Sequence, residues 1–209
     1  AEEQAEYEAK VKAREERGNR GRPPKPPSEE PEPKSQRNFT DPDSRIMPIG
    51  GKSFTQGYNC QAAVDDESQI IVAADVTQST VDKQQVKPMV EHIKTNTGEK
   101  PKKLSADTGY FSEDNVEALT EEGIDAYIAT EKQNHGKPSP PCPRGRIPKN
   151  ATVKDRMGRK LRTVKGRTTY SLRKEIVEPV FGQIKAVRGF DRFSFRGHEN
   201  VRNEWNLVC

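Results

Sequence analysis

GYNCQAAV (residues 57–64) and QIIVAADV (residues 69–76) decide the fold. Each is an apolar, β-compatible run of strand length, and the polar tetrad Asp65-Asp66-Glu67-Ser68 between them suits a hairpin connection. Just upstream, residues 45–49 (RIMPI) form a third short run that ends at the Gly50-Gly51 turn signal. Downstream, Val86, Met89, Val90 and Ile93 recur at helical spacing within residues 81–97, and Gly98 can close that helix. KLSAD (residues 103–107) reads as a short strand ending in a carboxylate. Ser112 then caps a helix over residues 112–122 with Val116 and Leu119 on one face, Gly123 stops it, and IDAYI (residues 124–128) is a further strand. The order β-β-β-α-β-α-β predicts an α/β domain: a mixed β-sheet flanked by helices, with an antiparallel start and parallel strands later.

On either side of this block the texture changes. Residues 1–37 combine a charged, helix-compatible piece with GNRGRPPKPPSEEPEPKSQR, which has little to bury and reads as a disordered, Pro-rich linker. Residues 130–169 are proline-rich and then strongly basic, and read as an insertion. Regular structure is expected again over residues 171–187, where Val177, Val180, Phe181, Ile184 and Val187 form an apolar stripe. Pro179 lies within it, and an interior proline costs a helix about 3 kcal/mol, so the helix is expected to start near Val177 or to bend there. Residues 199–209 read as a final helix holding a buried Trp205, which continues beyond Cys209.

The composition narrows the function classes. Only 30% of the 209 residues are hydrophobic and 33% are charged, so a packed core cannot run through the whole chain. No apolar run approaches the roughly 20 residues of a membrane span, and no signal-peptide pattern opens the chain. Cys60, Cys142 and Cys209 are scattered, which suits reduced thiols in a cytoplasmic protein. Charge is uneven: residues 41–131 carry 17 acids and eight bases, whereas residues 132–209 carry six acids and 19 bases. A basic second half points to a polyanionic partner.

Three acidic positions stand out by their setting: Asp41, with Asp43 two residues on; Asp107, at the end of a strand; and Glu178, on the late helix with Lys185 seven residues beyond on nearly the same face. Gathered carboxylates would repel unless a divalent cation joined them, and Mg²⁺ is a hard ion that prefers oxygen ligands. Plainer roles stand beside this one. Asp41 and Asp43 could cap a turn, Asp107 could cap the next one, and Glu178 could pair with Lys174. His92 and His198 lack ligand-like partners and read as structural.

TDPDSRIM, GYNCQAAVD, IIVAADVT, LSADTGYFSEDN, GIDAYIA and YSLRKEIVEPVFGQIKAVRGFDRFSFRG occur in the order seen in bacterial insertion-sequence transposases of the DDE type. The resemblance covers residues 38–209. It implies an RNase H-like catalytic domain, with the basic insertion (residues 130–169) before the last catalytic helix. It implies Asp41, Asp107 and Glu178 as metal ligands, with Asp43 the alternative first ligand and Asp65 and Asp82 further candidates. It also implies two Mg²⁺ ions, with Mn²⁺ able to substitute, and DNA contacts from Tyr170, Arg173, Lys185 and, in an alternative register, Lys174. Arg159, Lys160 and Arg162 of the basic stretch would neutralise phosphates. The implied partners are double-stranded DNA, as transposon ends and target, and a second copy of the chain. The implied activity is metal-dependent cleavage and strand transfer by a cytoplasmic, nucleoid-associated bacterial protein. The family's end-recognising N-terminal helical domain has no counterpart here, and the last helix normally continues. Two rival readings share the fold: an inactive, truncated remnant that only binds DNA, and a host RNase H-like nuclease.

Overall fold

A computed structural model describes residues 2–16, 23–26, 36–49, 53–132, 140–142 and 144–209. The chain divides into two units, Ala1–Arg37 and Asn38–Cys209. In the first, α1 (Glu2–Glu16) is a helix of mostly charged residues without a continuous apolar face. Most of the expected linker, residues 17–22 and 27–35, lies outside the described residues, as do Gly50 and Gly51.

The second unit contains three strand pairs. β1 (Arg45–Pro48) and β2 (Phe54–Gly57) form one antiparallel pair, with Arg45 opposite Gly57. β3 (Asn59–Val64) and β4 (Ile71–Thr77) form the second, with Asn59 opposite Thr77 and an irregularity at Ala63/Val64. β5 (Lys103–Ala106) and β6 (Asp125–Ile128) run parallel. Asp65 belongs to the β3–β4 turn, where its carboxylate accepts from Ser68 N (2.8 Å), Ser68 Oγ (2.6 Å) and Glu67 N (3.2 Å). Those bonds hold it below the usual carboxylate range.

The α/β class is as expected, but the single mixed sheet is not formed. Among the described residues no ladder joins one strand pair to another. The join is made by α2 (Val86–Thr97). Its Val86 and Val90 pack with Leu119 of α3 (Glu113–Glu121), Ile124, Ala126 and Ile128, and with Met157 of α4 (Val153–Arg162). Its Met89 and Ile93 pack instead with Ala73 of β4. An amphipathic helix with two apolar flanks can thus serve both strand pairs. A third cluster gathers Val76, Val180, Ile184, Val201 and Trp205 around α6 (His198–Val208). There Trp205 Nε1 donates to the Gln61 carbonyl at 3.0 Å. No described helix is long and apolar enough to cross a membrane.

Two expectations for the second half need correction. Residues 153–162 and 164–169 are helical, with Thr163 the extended residue between them. Thr152 and Asp155 form a reciprocal capping box that starts α4, and Met157 buries itself against β6. α5 (Val164–Gly182) then begins at the Thr163 cap and runs through Pro179 without ending. The tight α4–α5 corner needs Gly166, because a Cβ there would lie 2.0 Å from the Lys160 carbonyl oxygen.

Pro179 has no N–H to give to the carbonyl four residues back, on Glu175. Gln69 Nε2 donates to that carbonyl instead, at 3.0 Å. A side chain from the β3–β4 turn therefore replaces the lost helical bond. Gln69→Asn keeps a residue that tolerates the local φ of 57° but shortens the reach. It should cost about 0.5–1 kcal/mol in urea unfolding, and that coupling should vanish in a Pro179→Ala background, where the helical donor returns.

Candidate active site

β5 delivers Asp107 to its C-terminal end, where the chain turns through a short 3₁₀ segment, Thr108–Tyr110. The exposed carboxylate accepts from Thr108 N at 2.7 Å, and the Asp107 carbonyl accepts from Tyr110 N at 3.1 Å. One carboxylate oxygen therefore organises its own turn.

α5 lies against both β5 and β6 and brings Tyr170 within reach of the Asp107 charge. Burial raises the Tyr170 phenol above its usual range, Arg173 opposes that shift, and the Asp107 carboxylate adds to it. The Arg173 guanidinium sits 5.4 Å from the Tyr170 ring centroid. Its Nε is buried and has no hydrogen-bond acceptor among the described residues. A buried donor without a partner is costly, and an arginine in that state is ready for an anionic oxygen.

Glu178 is exposed on the same helix, eight residues beyond Tyr170, roughly 12 Å along the axis at 1.5 Å per residue. Past Gly182 the helix widens into a π-turn, Gln183–Val187, which carries Lys185. The Lys185 charge acts on the Cys60 thiol of β3, opposing the upward shift of that group. That thiol is pushed up to about 12, first by burial and then by Cys209, so it is no nucleophile.

Asp41 and Asp43 serve another end of the fold. Both Asp41 oxygens accept from the Tyr58 hydroxyl (2.8 and 2.9 Å), and Oδ1 also accepts from Gly197 N at 3.1 Å. Asp43 Oδ2 accepts from His198 N at 3.0 Å. The pair secures the N-terminus of α6, where carboxylates are favoured. Burial and then Asp41 push the Tyr58 phenol far above its usual range. Among the described residues no three of His, Cys, Asp and Glu gather closely enough to hold a metal ion. The expected trio of Asp41, Asp107 and Glu178 is therefore not assembled in this structure.

The basic residues divide in the same way. Lys160 is bonded to Asp125 Oδ1 and to the Ala126 carbonyl (2.7 Å), and lies 4.2 Å from the Tyr127 ring centroid. It fastens α4 to β6. Arg159 donates to the Gly145 carbonyl, and Lys154 pairs with Glu131 at 3.5 Å. Arg156, Arg162 and Lys174 enter none of these pairs. His198 Nε2 faces the Val76 carbonyl at 2.8 Å, and His92 lies 3.8 Å from Asp75, so both histidines are structural.

A family model for the transposase DDE domain matches residues 28–209. The chain therefore belongs to the DDE-domain transposases. No curated protein and no solved structure gives a significant match.

The Lys160–Asp125 contact makes a pH-dependent prediction. Burial alone would raise the Asp125 carboxyl, but Lys160, Tyr127 and Lys165 outweigh it and hold the group below the usual range. A depressed carboxylate contributes stability above its unfolded value, about 3.9, and loses it as pH falls through the folded value. Lys160→Met should thus cost about 0.5–1 kcal/mol at pH 7, since the pair is part-exposed, and less at pH 3. Thermal unfolding at the two pH values measures the difference.

Proposed function

We propose that this chain is the DNA-processing part of an insertion-sequence transposase, cleaving phosphodiester bonds at transposon ends and joining the freed 3′ end to target DNA. The observation that carries this reading is the Arg173 guanidinium, 5.4 Å from the Tyr170 ring centroid and with an Nε that has no acceptor among the described residues, on a helix packed against the strand that runs into Asp107. The C-terminal edge of parallel strands is where open α/β sheets place their sites. A phosphate oxygen suits the orphaned guanidinium donor, and the Tyr170 hydroxyl offers a second contact beside it. Arg162 and Lys174, on the flanking helices, extend the positive surface along a duplex. Asp107 and Glu178 are the acids we assign to the reaction. Asp41 and Asp43 are not, because the α6 N-terminus already holds them.

Members of this family generally use divalent metal ions. The acids as placed here do not form a binding cluster, so no step of the reaction is derived through a metal. That same observation favours a second reading, a protein that binds DNA without cutting it. Nicking of labelled duplex DNA in Mg²⁺ or Mn²⁺ by the chain and by Asp107→Asn separates the two. The first reading expects nicking that falls at least a hundredfold in the variant while DNA binding stays within about twofold. Equal nicking by Asp107→Asn would sink the assignment of Asp107, and binding with no nicking by either protein would establish the second reading.

A further inference from the structure

The acid beside the Asp107 turn is Asp82, which opens the 3₁₀ segment Asp82–Gln85 ahead of α2. Its Oδ1 accepts two side-chain amides from β3, Asn59 Nδ2 at 2.7 Å and Gln61 Nε2 at 3.1 Å. Its Oδ2 lies over Gly109, where an added Cβ would stand 2.8 Å away. Gln61 is 3% exposed, and its amide is fully committed. The nitrogen donates to Asn59 Oδ1 (2.9 Å) and to Asp82, and the oxygen accepts from the Tyr110 hydroxyl. From the other side Asn115, also buried, donates to the carbonyls of Lys83 (2.7 Å) and Tyr110 (3.0 Å).

We infer that Asp82 is a positioning residue for Asp107, acting through the amide orientation of Gln61; this rests on the reading of Asp107 as a reactive acid. A carboxylate only accepts, so it forces the Gln61 NH₂ to face it. The Gln61 oxygen is then left as the acceptor for Tyr110, and the turn after Asp107 is fastened to β3. Without Asp82 the buried amide loses one of its two acceptors and is held in this orientation by Asn59 Oδ1 alone, itself kept in place by the Ser79 carbonyl (3.1 Å). The small side of Gly109 lets the carboxylate lie directly on this turn. The role needs the acceptor geometry of Asp82 and not its charge. An asparagine oxygen at residue 82 can still accept from both amides, whereas alanine removes one acceptor from each and leaves them the Ser79 carbonyl and Asn59 Oδ1.

The experiment compares Asp82→Ala and Asp82→Asn by amide hydrogen exchange and by nicking. Asp82→Ala should speed exchange at Thr108 and Tyr110 by tenfold or more while the α2 amides stay protected, and should lower kcat at least tenfold with little change in KM for DNA. Asp82→Asn should recover both readouts to within about threefold of the unmodified chain. Equal losses in the two variants would show that the charge itself is needed and would overturn the positioning role, as would unchanged exchange in Asp82→Ala. If Asp82→Ala loses α2 protection as well, Tyr110→Phe takes its place. That variant removes only the hydroxyl that reaches Gln61, and it should loosen residues 108–110 alone. Should the unmodified chain not nick DNA, the exchange result still decides the role of Asp82, and it is the reactivity of Asp107 that has failed.

Discussion

The buried side-chain amide of Gln61 is the constraint on which the arrangement of this domain depends. β3–β4 and β5–β6 share no ladder hydrogen bond. What joins them at one end is a set of side-chain bonds through Gln61, Asp82, Tyr110 and Asn115, and what joins them along their length is the two-sided apolar surface of α2. Polar groups removed from water must be matched one for one, whereas apolar contacts tolerate sliding. The amide network therefore fixes how the strand pairs are placed, and α2 supplies most of the burial. Trp205 adds to the same residue from the opposite side, through the Gln61 main-chain carbonyl.

Elements whose burial repeats with a simple period were legible in the sequence. The β3–β4 hairpin, α2, β5, α3 and β6 all came from apolar spacing and from caps such as Ser112, whose hydroxyl accepts from Asn115 N. β2 escaped because Phe54, Thr55 and Gln56 are exposed and show no alternation. α4 escaped because its cations conceal a single buried residue, Met157; the Thr152–Asp155 capping box was the signal that could have found it. The passage of α5 through Pro179 could not be read locally, since the replacement donor, Gln69, is 106 residues in sequence from Glu175, the residue whose carbonyl it serves.

The candidate site divides along the same line. Asp107 at a strand end was legible from local pattern, whereas Tyr170 and Arg173 came only from the family resemblance, and it is the packing of α5 on β5 that puts them on the same side of the fold. The roles of Asp41, Asp43 and Lys160 depend on partners that spacing cannot reveal, namely Gly197, His198 and Asp125. In each case a charged side chain that looked available to a ligand is engaged by the fold. Buried or part-buried charge needs a partner, and a backbone N–H at a helix start or a carboxylate across a strand end serves as well as a ligand does.

Asp107, Tyr170 and Arg173 remain the candidate face for a ligand, and we propose that the buried Arg173 Nε–H, which has no acceptor among the described residues, is turned to a backbone phosphate when DNA binds. The most direct measurement is the ¹H–¹⁵N signal of that Nε–H during titration with a short DNA duplex at two salt concentrations. The account expects the signal to move downfield and its exchange with water to slow as DNA binds, with both changes weaker at high salt. An unchanged Arg173 Nε–H signal while the duplex demonstrably binds would contradict it, and would move the DNA-binding surface away from the end of β5.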